Sequence, residues 1–376
     1  MSLLVPRRIT LPHPHSETAF LHTLRIRAED HREPRTHMEL TWSQLQKLAD
    51  DFDLGRLVQM DRPLTTQCNT TDPFRTGQGT FLLRARHGEE YVERLEFLHA
   101  TLDTLVKSGF PCPAVVRAKS GKSWTVWGDR LVEVHAYVAH DVGNHRDWNR
   151  MYAAAGALAD LHAVFHKIKS AYIVPPEMRN DIPPKHCWML LQEVTAAVEL
   201  RAQSEEPARE ALQICQRIGD MIAPLLRDYE RTIGALPWML VHGDYHFWNL
   251  LYRADQIAAV VDYDFMQERE RLFDLAYAMQ SVVAYLQALD GRLAEQGHYD
   301  QLQWKAAKTW LDLYESSTHL PLVPKEREMI ASEVMRIYLV SGLTLAVQGD
   351  PVECLLALRE EIGLFQWLGQ HPEVFI

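Results

Sequence analysis

The chain has 376 residues, of which 47% are hydrophobic, and it carries a formal net charge of −11. This length and apolar content are sufficient for a sizeable core that is divided over two or three lobes. The negative charge excludes general electrostatic attraction to nucleic acid. The sequence has neither the apolar core of a signal peptide nor a continuous apolar run of the roughly eighteen residues that a membrane helix needs. We therefore expect a cytoplasmic protein that binds neither nucleic acid nor membrane.

Residues 1–37 are rich in His, Pro, Arg and Thr and lack a sustained hydrophobic period. A metal-binding tail and a disordered extension both fit this composition, but the histidines lack the spacing of helical ligands, which favours disorder. A helical pattern begins only after Met38, at Glu39-Leu40-Thr41, so Met38 is a second candidate for the start of the protein.

This composition predicts that residues 1–37 are dispensable, because they cannot bury enough apolar surface to offset the entropy of ordering them. A chain that begins at Met38 should keep the melting temperature of the full chain. Thermal unfolding of both chains tests this expectation. A fall of about 2–4 °C, which corresponds to a loss of roughly 1 kcal/mol in a domain of this size, would show instead that the tail packs on the fold.

The part of the chain up to Val138 carries signals for several strands around one helix. A polar segment, Pro63–Thr71, precedes an apolar run at Thr80–Arg84 that predicts a strand. Apolar residues from about Glu89 to Lys107 have helical spacing. Alternating apolar residues and turn-forming Gly and Ser predict further strands at residues 114–118, 124–127 and 131–138.

From Arg146 onward the chain is mostly helical. The hydrophobic period predicts helices at residues 148–167, 188–202, 208–233, 303–315 and 325–348. His162 and His166 lie four residues apart on the first of these helices and could in principle share a metal ion. No third ligand accompanies them in a His-Glu-x-x-His pattern, which favours a structural role for both.

One stretch of the sequence carries most of the chemistry. Asp244 and Asn249 stand in the order His-Gly-Asp-x-x-x-x-Asn, which is the spacing of a kinase catalytic loop. Asp262 follows the β-branched run Ile257–Val261, which predicts a strand paired with Leu250–Tyr252 across a short polar turn. This hairpin would bring Asn249 and Asp262 to the same end.

These residue types suit phosphoryl transfer. The catalytic Asp accepts the proton of the attacking hydroxyl, and carboxylate and amide oxygens bind the Mg²⁺ that offsets the charge of the phosphates. Each residue also has an ordinary explanation: Asp244 as a turn cap, Asn249 as a partner of loop backbone, Asp262 as a solvated strand end. The combination of all three with the hairpin favours the phosphoryl-transfer site.

The full pattern of His-Gly-Asp-x-x-x-x-Asn, a hairpin, Asp-Tyr-Asp and Arg-x-x-Asp-Leu-Ala resembles the aminoglycoside phosphotransferase and choline kinase-like superfamily, including its homoserine kinase type II and spore-coat-kinase-like branches. The resemblance implies an α+β, two-lobed, protein-kinase-like fold. Residues 38–138 would form a small nucleotide-binding lobe with an antiparallel sheet and a helix. Residues 139–376 would form a larger, mostly helical lobe with the catalytic loop, the metal site and the acceptor site.

The resemblance also implies ATP and Mg²⁺ as cofactors, with Asp244 as the catalytic base and Asn249 and Asp262 as metal ligands. The segment Glu133–Tyr137 would link the lobes and offer backbone groups to the adenine, although the side chains of this segment also suit ordinary packing. The remaining cofactor-binding residues implied are those of the loop over the phosphates and of the linking segment: Thr65, Thr66, Asn69, Thr70, His135 and Tyr137.

Arg84 stands where the family has the lysine that holds the α/β-phosphates, and a guanidinium can bridge phosphate oxygens through its planar fork. The ordinary alternative is a solvated arginine at the strand surface, alternating with Arg86. The family pairs the lysine with a glutamate of the following helix, and Glu93 and Glu96 are both candidates for that partner.

Several residues around the motif allow two explanations. Asp264 could bind metal or support the site. A solvated face is the favoured explanation for the charged run Glu268–Arg271. For Asp274, ordering of the loop or capping of the next helix is favoured over a role in the chemistry. Aromatic residues could form a cation–π wall, although burial in the core is the favoured use of most of them: Trp188, Trp238, Phe247 and Trp248.

The resemblance implies a small-molecule hydroxyl as the acceptor: an aminosugar or aminoglycoside, an amino alcohol such as choline or homoserine, or a sugar. The motifs choose neither among these acceptors nor between a monomer and a homodimer. The alternative function is a degenerate kinase fold that binds nucleotide as a scaffold or sensor without turnover. Arg84 and the undefined helix glutamate favour this alternative, whereas the intact Asp244, Asn249 and Asp262 oppose it.

Overall fold

The computed structural model describes residues 40–60, 70–87, 92–141, 148–169, 184–289 and 302–375. Its first helix, α1 (Trp42–Asp51), begins at a reciprocal cap. The Thr41 side chain accepts a hydrogen bond from the N–H of Gln44, and the Gln44 side chain accepts one from the N–H of Thr41. This cap satisfies two backbone donors of the first turn, and the apolar face of α1 packs against the small lobe.

A five-stranded antiparallel sheet forms most of the small lobe. Its strands are β1 (Leu57–Met60), β2 (Thr70–Thr76), β3 (Gly79–His87), β4 (Thr125–Trp127) and β5 (Arg130–Ala136), in the spatial order β1-β2-β3-β5-β4. In β3, Leu83 and Ala85 join the apolar cluster that includes α1. Arg84 and Arg86 point to the opposite face, because side chains alternate along a strand. The sheet therefore presents two arginines to the large lobe.

Helix α2 (Val92–Lys107) connects the two lobes through apolar contacts. Leu95 packs with Trp124 and Leu131 of the small lobe. The next apolar residues along the helix belong to the core of the large lobe: Leu98, Leu102 and Leu105. Because one helix contributes to both clusters, it fixes the position of the sheet above the large lobe.

The large lobe consists mainly of helices around one apolar cluster. These helices are α3 (Trp148–Phe165), α4 (Pro184–Ala202), α5 (Glu206–Thr232), α6 (Leu272–Leu289), α7 (Leu302–Ser317), α8 (Pro324–Gln348) and α9 (Pro351–Gln370). By length and composition, the segment Pro324–Val347 of α8 could cross a membrane, but 83% of its most apolar window is buried inside the protein. Its apolarity is therefore that of a core helix.

Two short antiparallel pairs carry the motif residues. Strand β6 (Trp238–Val241) pairs with β9 (Gln267–Glu270), and β7 (Leu250–Arg253) forms a tight hairpin with β8 (Gln256–Val260). The predicted hairpin is therefore confirmed. The loop after β6 and the loop after β8 meet at one end of these strands.

The predicted α+β, two-lobed fold is confirmed. The predicted helices are present with ends shifted by a few residues, as is usual for helix boundaries. The strand predicted at residues 114–118 is wrong, because this segment meets only the end of β5, where Val115 forms an isolated bridge to His135. The elements that the sequence analysis missed are β1, β2, β6, β9 and α9.

The prediction of a solvated face at Glu268–Arg271 is wrong for three of its residues. Arg269, Glu270 and Arg271 are buried. Arg269 Nη2 donates to Glu270 Oε1 at 2.7 Å, and Arg271 Nε donates to Glu326 Oε1 of α8 at 2.9 Å. Charges can be buried only with such partners, and the partner on α8 is remote in sequence.

Candidate active site

One buried carboxylate ties the loop after β6 to helix α6. Asp274 Oδ2 accepts a hydrogen bond from the N–H of His242 at 2.7 Å, and Oδ1 accepts one from the N–H of Gly243 at 2.9 Å. Asp274 is fully buried. Of the two roles expected for Asp274, the structure shows the ordering of the loop after β6.

His162 completes the support of Asp274. Burial lowers the pKa of His162, so the ring is neutral near pH 7. Its Nε2 lies 3.2 Å from Asp274 Oδ2 and its Nδ1 lies 2.8 Å from the Tyr314 hydroxyl, which assigns the proton to Nε2. His166 is exposed. The structural role expected for His162 is therefore confirmed.

Gly243 brings two loops into contact. Its φ is +78°, and a Cβ at this position would lie 2.2 Å from the carbonyl oxygen of Phe265 in the loop after β8. Any other residue would push the loops apart and strain its own backbone. The glycine of the His-Gly-Asp motif therefore sets how closely Asp244 approaches the predicted metal loop.

Both carboxylate oxygens of Asp244 have partners. The Tyr277 hydroxyl donates to Oδ1 at 2.9 Å, and Asn249 Nδ2 donates to Oδ2 at 3.0 Å. His246 Nε2 lies 3.5 Å from Oδ1. Only 5% of the Asp244 side chain is exposed. These contacts hold the carboxylate in one orientation, as a general base requires.

Asn249 and Asp262 lie at the same end of the hairpin, where the N–H of Val261 donates to the carbonyl oxygen of Asn249 at 2.9 Å. Asn249 Nδ2 also donates to the carbonyl oxygen of Asp244 at 2.9 Å. Because the amide nitrogen is directed at Asp244, the amide oxygen is the atom of this side chain that can bind a cation.

Asp262 follows β8 in a left-handed backbone conformation, with φ 63° and ψ 67°. This region is sparsely populated by residues other than glycine, and such strain is concentrated at functional sites. A carboxylate oxygen together with an amide oxygen is a set of hard ligands that suits Mg²⁺. Asn249 and Asp262 therefore fit the predicted metal.

Three arginines of the small lobe converge on Asp264. Arg84 Nη2 donates to Oδ2 at 3.0 Å, Arg86 donates to Oδ2 at 3.0 Å and to Oδ1 at 2.8 Å, and Arg94 donates to the carbonyl oxygen at 2.8 Å. Burial alone raises the pKa of the Asp264 carboxyl, but Arg84 and Arg86 lower it more, to well below its usual range. Asp264 is therefore ionised and supports the site through the arginines.

Arg84 is not a solvated surface residue, because only 19% of its side chain is exposed and it lies 3.8 Å from Asp262 Oδ1. The expected pairing with a helix glutamate is wrong, since Glu93 and Glu96 are both exposed. A second carboxylate beside the arginines, besides Asp264, is Glu133 of β5, which the sequence analysis missed as a site residue. Its signal was the pairing of β3 with β5, which places Glu133 opposite Arg84.

The other predicted cofactor-binding residues are only partly described. Thr70 is the first residue of β2, so the predicted phosphate loop connects β1 to β2. The buried His135 side chain lies 3.0 Å from Glu133 Oε2, and the N–H of Tyr137 donates to the carbonyl oxygen of Thr80 at 3.1 Å. The adenine contact of this segment stays a prediction. Three predicted residues lie outside the described residues: Thr65, Thr66 and Asn69.

The aromatic residues near the motif are less buried than expected. Trp188, Trp238 and Trp248 are between 38% and 57% exposed, so the expectation of core burial is wrong for them. The Phe247 ring lies 5.2 Å from that of Trp248. This pair immediately precedes Asn249, which places aromatic surface beside the predicted metal ligand.

The sequence also matches the model of a known protein family. A sequence profile described as the phosphotransferase enzyme family matches residues 69–310, which is more than half of the chain. The chain belongs to the phosphotransferase enzyme family. The matched range includes Asp244, Asn249 and Asp262. No curated protein sequence matches the chain significantly.

Solved structures of other phosphotransferases share the fold. An aminoglycoside phosphotransferase from Alicyclobacillus acidocaldarius superposes with a TM-score of 0.62 at 14% identity, covering 90% of this chain and 98% of that one. A microcompartment-associated aminopropanol kinase gives a TM-score of 0.58 at 18% identity over 89% and 98% of the two chains. Spectinomycin phosphotransferase in complex with ADP and spectinomycin gives 0.53 at 10% identity over 89% and 97%. At these identities the likeness shows the fold alone.

Proposed function

We propose that this phosphotransferase is an ATP-dependent small-molecule kinase that transfers the γ-phosphoryl group to an alcohol hydroxyl. The observation that carries the proposal is the buried Asp244, held by Tyr277 and Asn249 on a loop that Asp274 orders. A carboxylate fixed in this way accepts the hydroxyl proton as the oxygen attacks phosphorus. The ADP in the spectinomycin phosphotransferase complex supports an adenine nucleotide as the donor.

The metal in this proposal is Mg²⁺, held by Asn249 and Asp262. When bound, it neutralises charge that develops on the phosphate oxygens. Arg84 lies 3.8 Å from Asp262, so its guanidinium is close enough to the metal ligand to contact the same phosphates. An arginine can replace the family's lysine because it offers two parallel donors to phosphate oxygens.

The acceptor class remains broad in this proposal. The structurally similar proteins are an aminoglycoside phosphotransferase, a spectinomycin phosphotransferase and an aminopropanol kinase. The aromatic pair Phe247 and Trp248 lies beside the site, and aromatic faces attract cationic ligands. We therefore propose aminosugars and amino alcohols as the first acceptors to test, with uncharged sugars as the comparison.

Magnesium-dependent ATP consumption, measured with a panel of aminosugars, amino alcohols and sugars, tests the function. Acceptor-dependent ADP formation that stops when Mg²⁺ is chelated is the expected result. Tight Mg·ATP binding without turnover on any acceptor would favour the nucleotide-binding scaffold instead. Absence of nucleotide binding would contradict both functions.

Replacing Asp262 by alanine should weaken the binding of Mg·ATP, because it removes the carboxylate that links the metal to the phosphates. Isothermal titration calorimetry at several Mg²⁺ concentrations measures the change. The matched control is Asp255→Ala, at the exposed turn of the same hairpin, which should bind as the wild type does. Equal affinity and equal magnesium dependence for Asp262→Ala would show that this carboxylate is not a metal ligand.

A further inference from the structure

The helix that follows β3 directs an arginine and a histidine, rather than a carboxylate, toward the sheet and Asp264. On α2, Arg94 and His99 are buried, whereas Glu93 and Glu96 are exposed. Arg94 donates to the backbone of Asp264 at 2.8 Å. Helix α2 therefore brings no carboxylate to the arginines of β3, and their second carboxylate, besides that of Asp264, comes from another element.

Strand β5 supplies that carboxylate. Glu133 is 1% exposed and stands directly opposite Arg84 in the β3–β5 pair. Its Oε1 accepts a hydrogen bond from Arg86 Nε at 2.7 Å and lies 3.8 Å from Arg84 Nε. Because the two strands are hydrogen-bonded neighbours, sheet pairing places Glu133 on the same face as these arginines, directly opposite Arg84 and diagonal to Arg86.

The second oxygen of Glu133 connects the strand to α2. His99 Nε2 lies 2.5 Å from Oε2 and His135 Nε2 lies 3.0 Å from it, while Ser123 Oγ contacts His99 Nδ1 at 2.7 Å. Burial alone raises the pKa of Glu133, but Arg86 and the histidines outweigh it and the pKa is lowered. The ionised carboxylate thus accepts hydrogen bonds from both sides.

The two arginines are held differently. Arg86 is bonded to Glu133 and to both carboxylate oxygens of Asp264. Arg84 makes one 3.0 Å contact with Asp264 and lies 3.8 Å from Asp262. Arg86 therefore fixes the cluster in place, and Arg84 is the arginine whose guanidinium can turn to a phosphate without breaking a bidentate pair.

We propose that Glu133 is the positioning residue of the phosphate site. From its position on strand β5, it performs the role that a helix glutamate has in related kinases. It orders Arg86 and Arg84 for the phosphates, and through His99 it links the position of α2 to that of the arginines. The inference rests on the proposed function, because it requires that a nucleotide binds in this cleft. It predicts that replacing Glu133 weakens the binding of the nucleotide's phosphates and leaves the binding of its nucleoside part unchanged.

A metal centre is the competing explanation, because the ligand atoms of His99, Glu133 and His135 lie within 4.8 Å of one another. Two observations favour hydrogen bonds. Arg86 already donates to the same carboxylate at 2.7 Å, so a divalent cation there would lie beside a guanidinium. The contacts of 2.5 Å and 3.0 Å between the histidines and Oε2 are also those of direct hydrogen bonds.

The test compares Glu133→Gln with the wild type in the binding of Mg·ATP and of adenosine, which lacks phosphates, by calorimetry. We expect Mg·ATP binding to weaken by about tenfold to a hundredfold, the range for loss of a charged hydrogen-bond partner, and adenosine binding to stay the same. The controls Glu93→Gln and Glu96→Gln, at the exposed positions of α2, should leave both affinities unchanged.

Equal losses for Mg·ATP and adenosine, or no loss for either, would overturn the positioning role of Glu133. If wild-type protein binds no Mg·ATP, the proposed function itself fails, which separates the two outcomes. A stoichiometric, histidine-dependent uptake of Zn²⁺ that tightens rather than abolishes nucleotide binding would overturn the inference in favour of the metal centre.

A second variant keeps the test decisive if Glu133→Gln does not fold. Arg86→Gln removes the partner through which Glu133 acts, so it should cause the same selective loss of Mg·ATP affinity. Where both single variants fold, the double variant should lose no more Mg·ATP affinity than the single variant that binds Mg·ATP less tightly, because the two residues act as one unit. Additive losses would contradict a shared role.

Discussion

Replacing Asp244 by asparagine should lower kcat by about two orders of magnitude or more, the range of general-base contributions. The substitution keeps the size of the side chain and one of its acceptor oxygens. Asn249 can still donate to that oxygen, and the Tyr277 hydroxyl can rotate to accept from the new amide. The variant should therefore fold normally and lose only the ability to take the acceptor's proton.

Steady-state kinetics with a responsive acceptor, together with calorimetry of Mg·ATP, measure this effect. The affinity for Mg·ATP should change little, because Asp244 acts on the acceptor hydroxyl rather than on the nucleotide. Asp255→Asn, at the exposed hairpin turn, is the matched control and should have normal kcat. Near-normal turnover of Asp244→Asn would remove this residue from the mechanism.

Asp274→Asn should cause the second large loss, although this residue does not reach the site. Its two oxygens accept from the backbone of His242 and Gly243, and an amide can accept from only one of them. The remaining N–H would lose its acceptor, which costs roughly 1–3 kcal/mol in a buried site. We expect kcat to fall by about a hundredfold as well, since a displacement near 1 Å of a catalytic group can have that effect.

Urea unfolding and steady-state kinetics measure the two consequences of Asp274→Asn. The control is Asp312→Asn, an exposed residue of α7 paired with Lys308, which should change neither quantity. Wild-type turnover together with wild-type stability for Asp274→Asn would show that the catalytic loop keeps its shape without this carboxylate.

The effect of Asp274 on stability should depend on pH. Burial raises its pKa, but the hydrogen bonds from His162 and the loop outweigh burial and the pKa is lowered in the folded protein. The unfolded state therefore binds more protons near the unfolded pKa of about 3.9. The stabilisation is present above that pH and is lost as the pH falls through the folded pKa. The gap between wild type and Asp274→Asn should accordingly narrow below about pH 4.

Local spacing was sufficient to predict the centre of the candidate site. Asp244, Asn249 and the hairpin that leads to Asp262 lie within one short stretch of sequence, so their arrangement follows from a loop and a tight turn. A β-branched run across a polar turn predicts the hairpin by itself, and the structure confirms it. The family resemblance rested on the same contiguous pattern, and it added the prediction of the two-lobed fold.

The tertiary structure alone decided which charges meet. Arg86 and Glu133 are 47 residues apart, and Arg86 and Asp264 are 178 apart, so no local pattern pairs them. The alternation of β3 showed that Arg84 and Arg86 share a face, but whether that face meets water or the other lobe depends on how α2 places the sheet. Helical spacing likewise left the choice between Glu93 and Glu96 open. A charge is buried only where a partner offsets its desolvation. For Arg86, Glu133 and Asp264 that partner is distant in sequence, so the sequence showed the charged residues and the fold chose their partners.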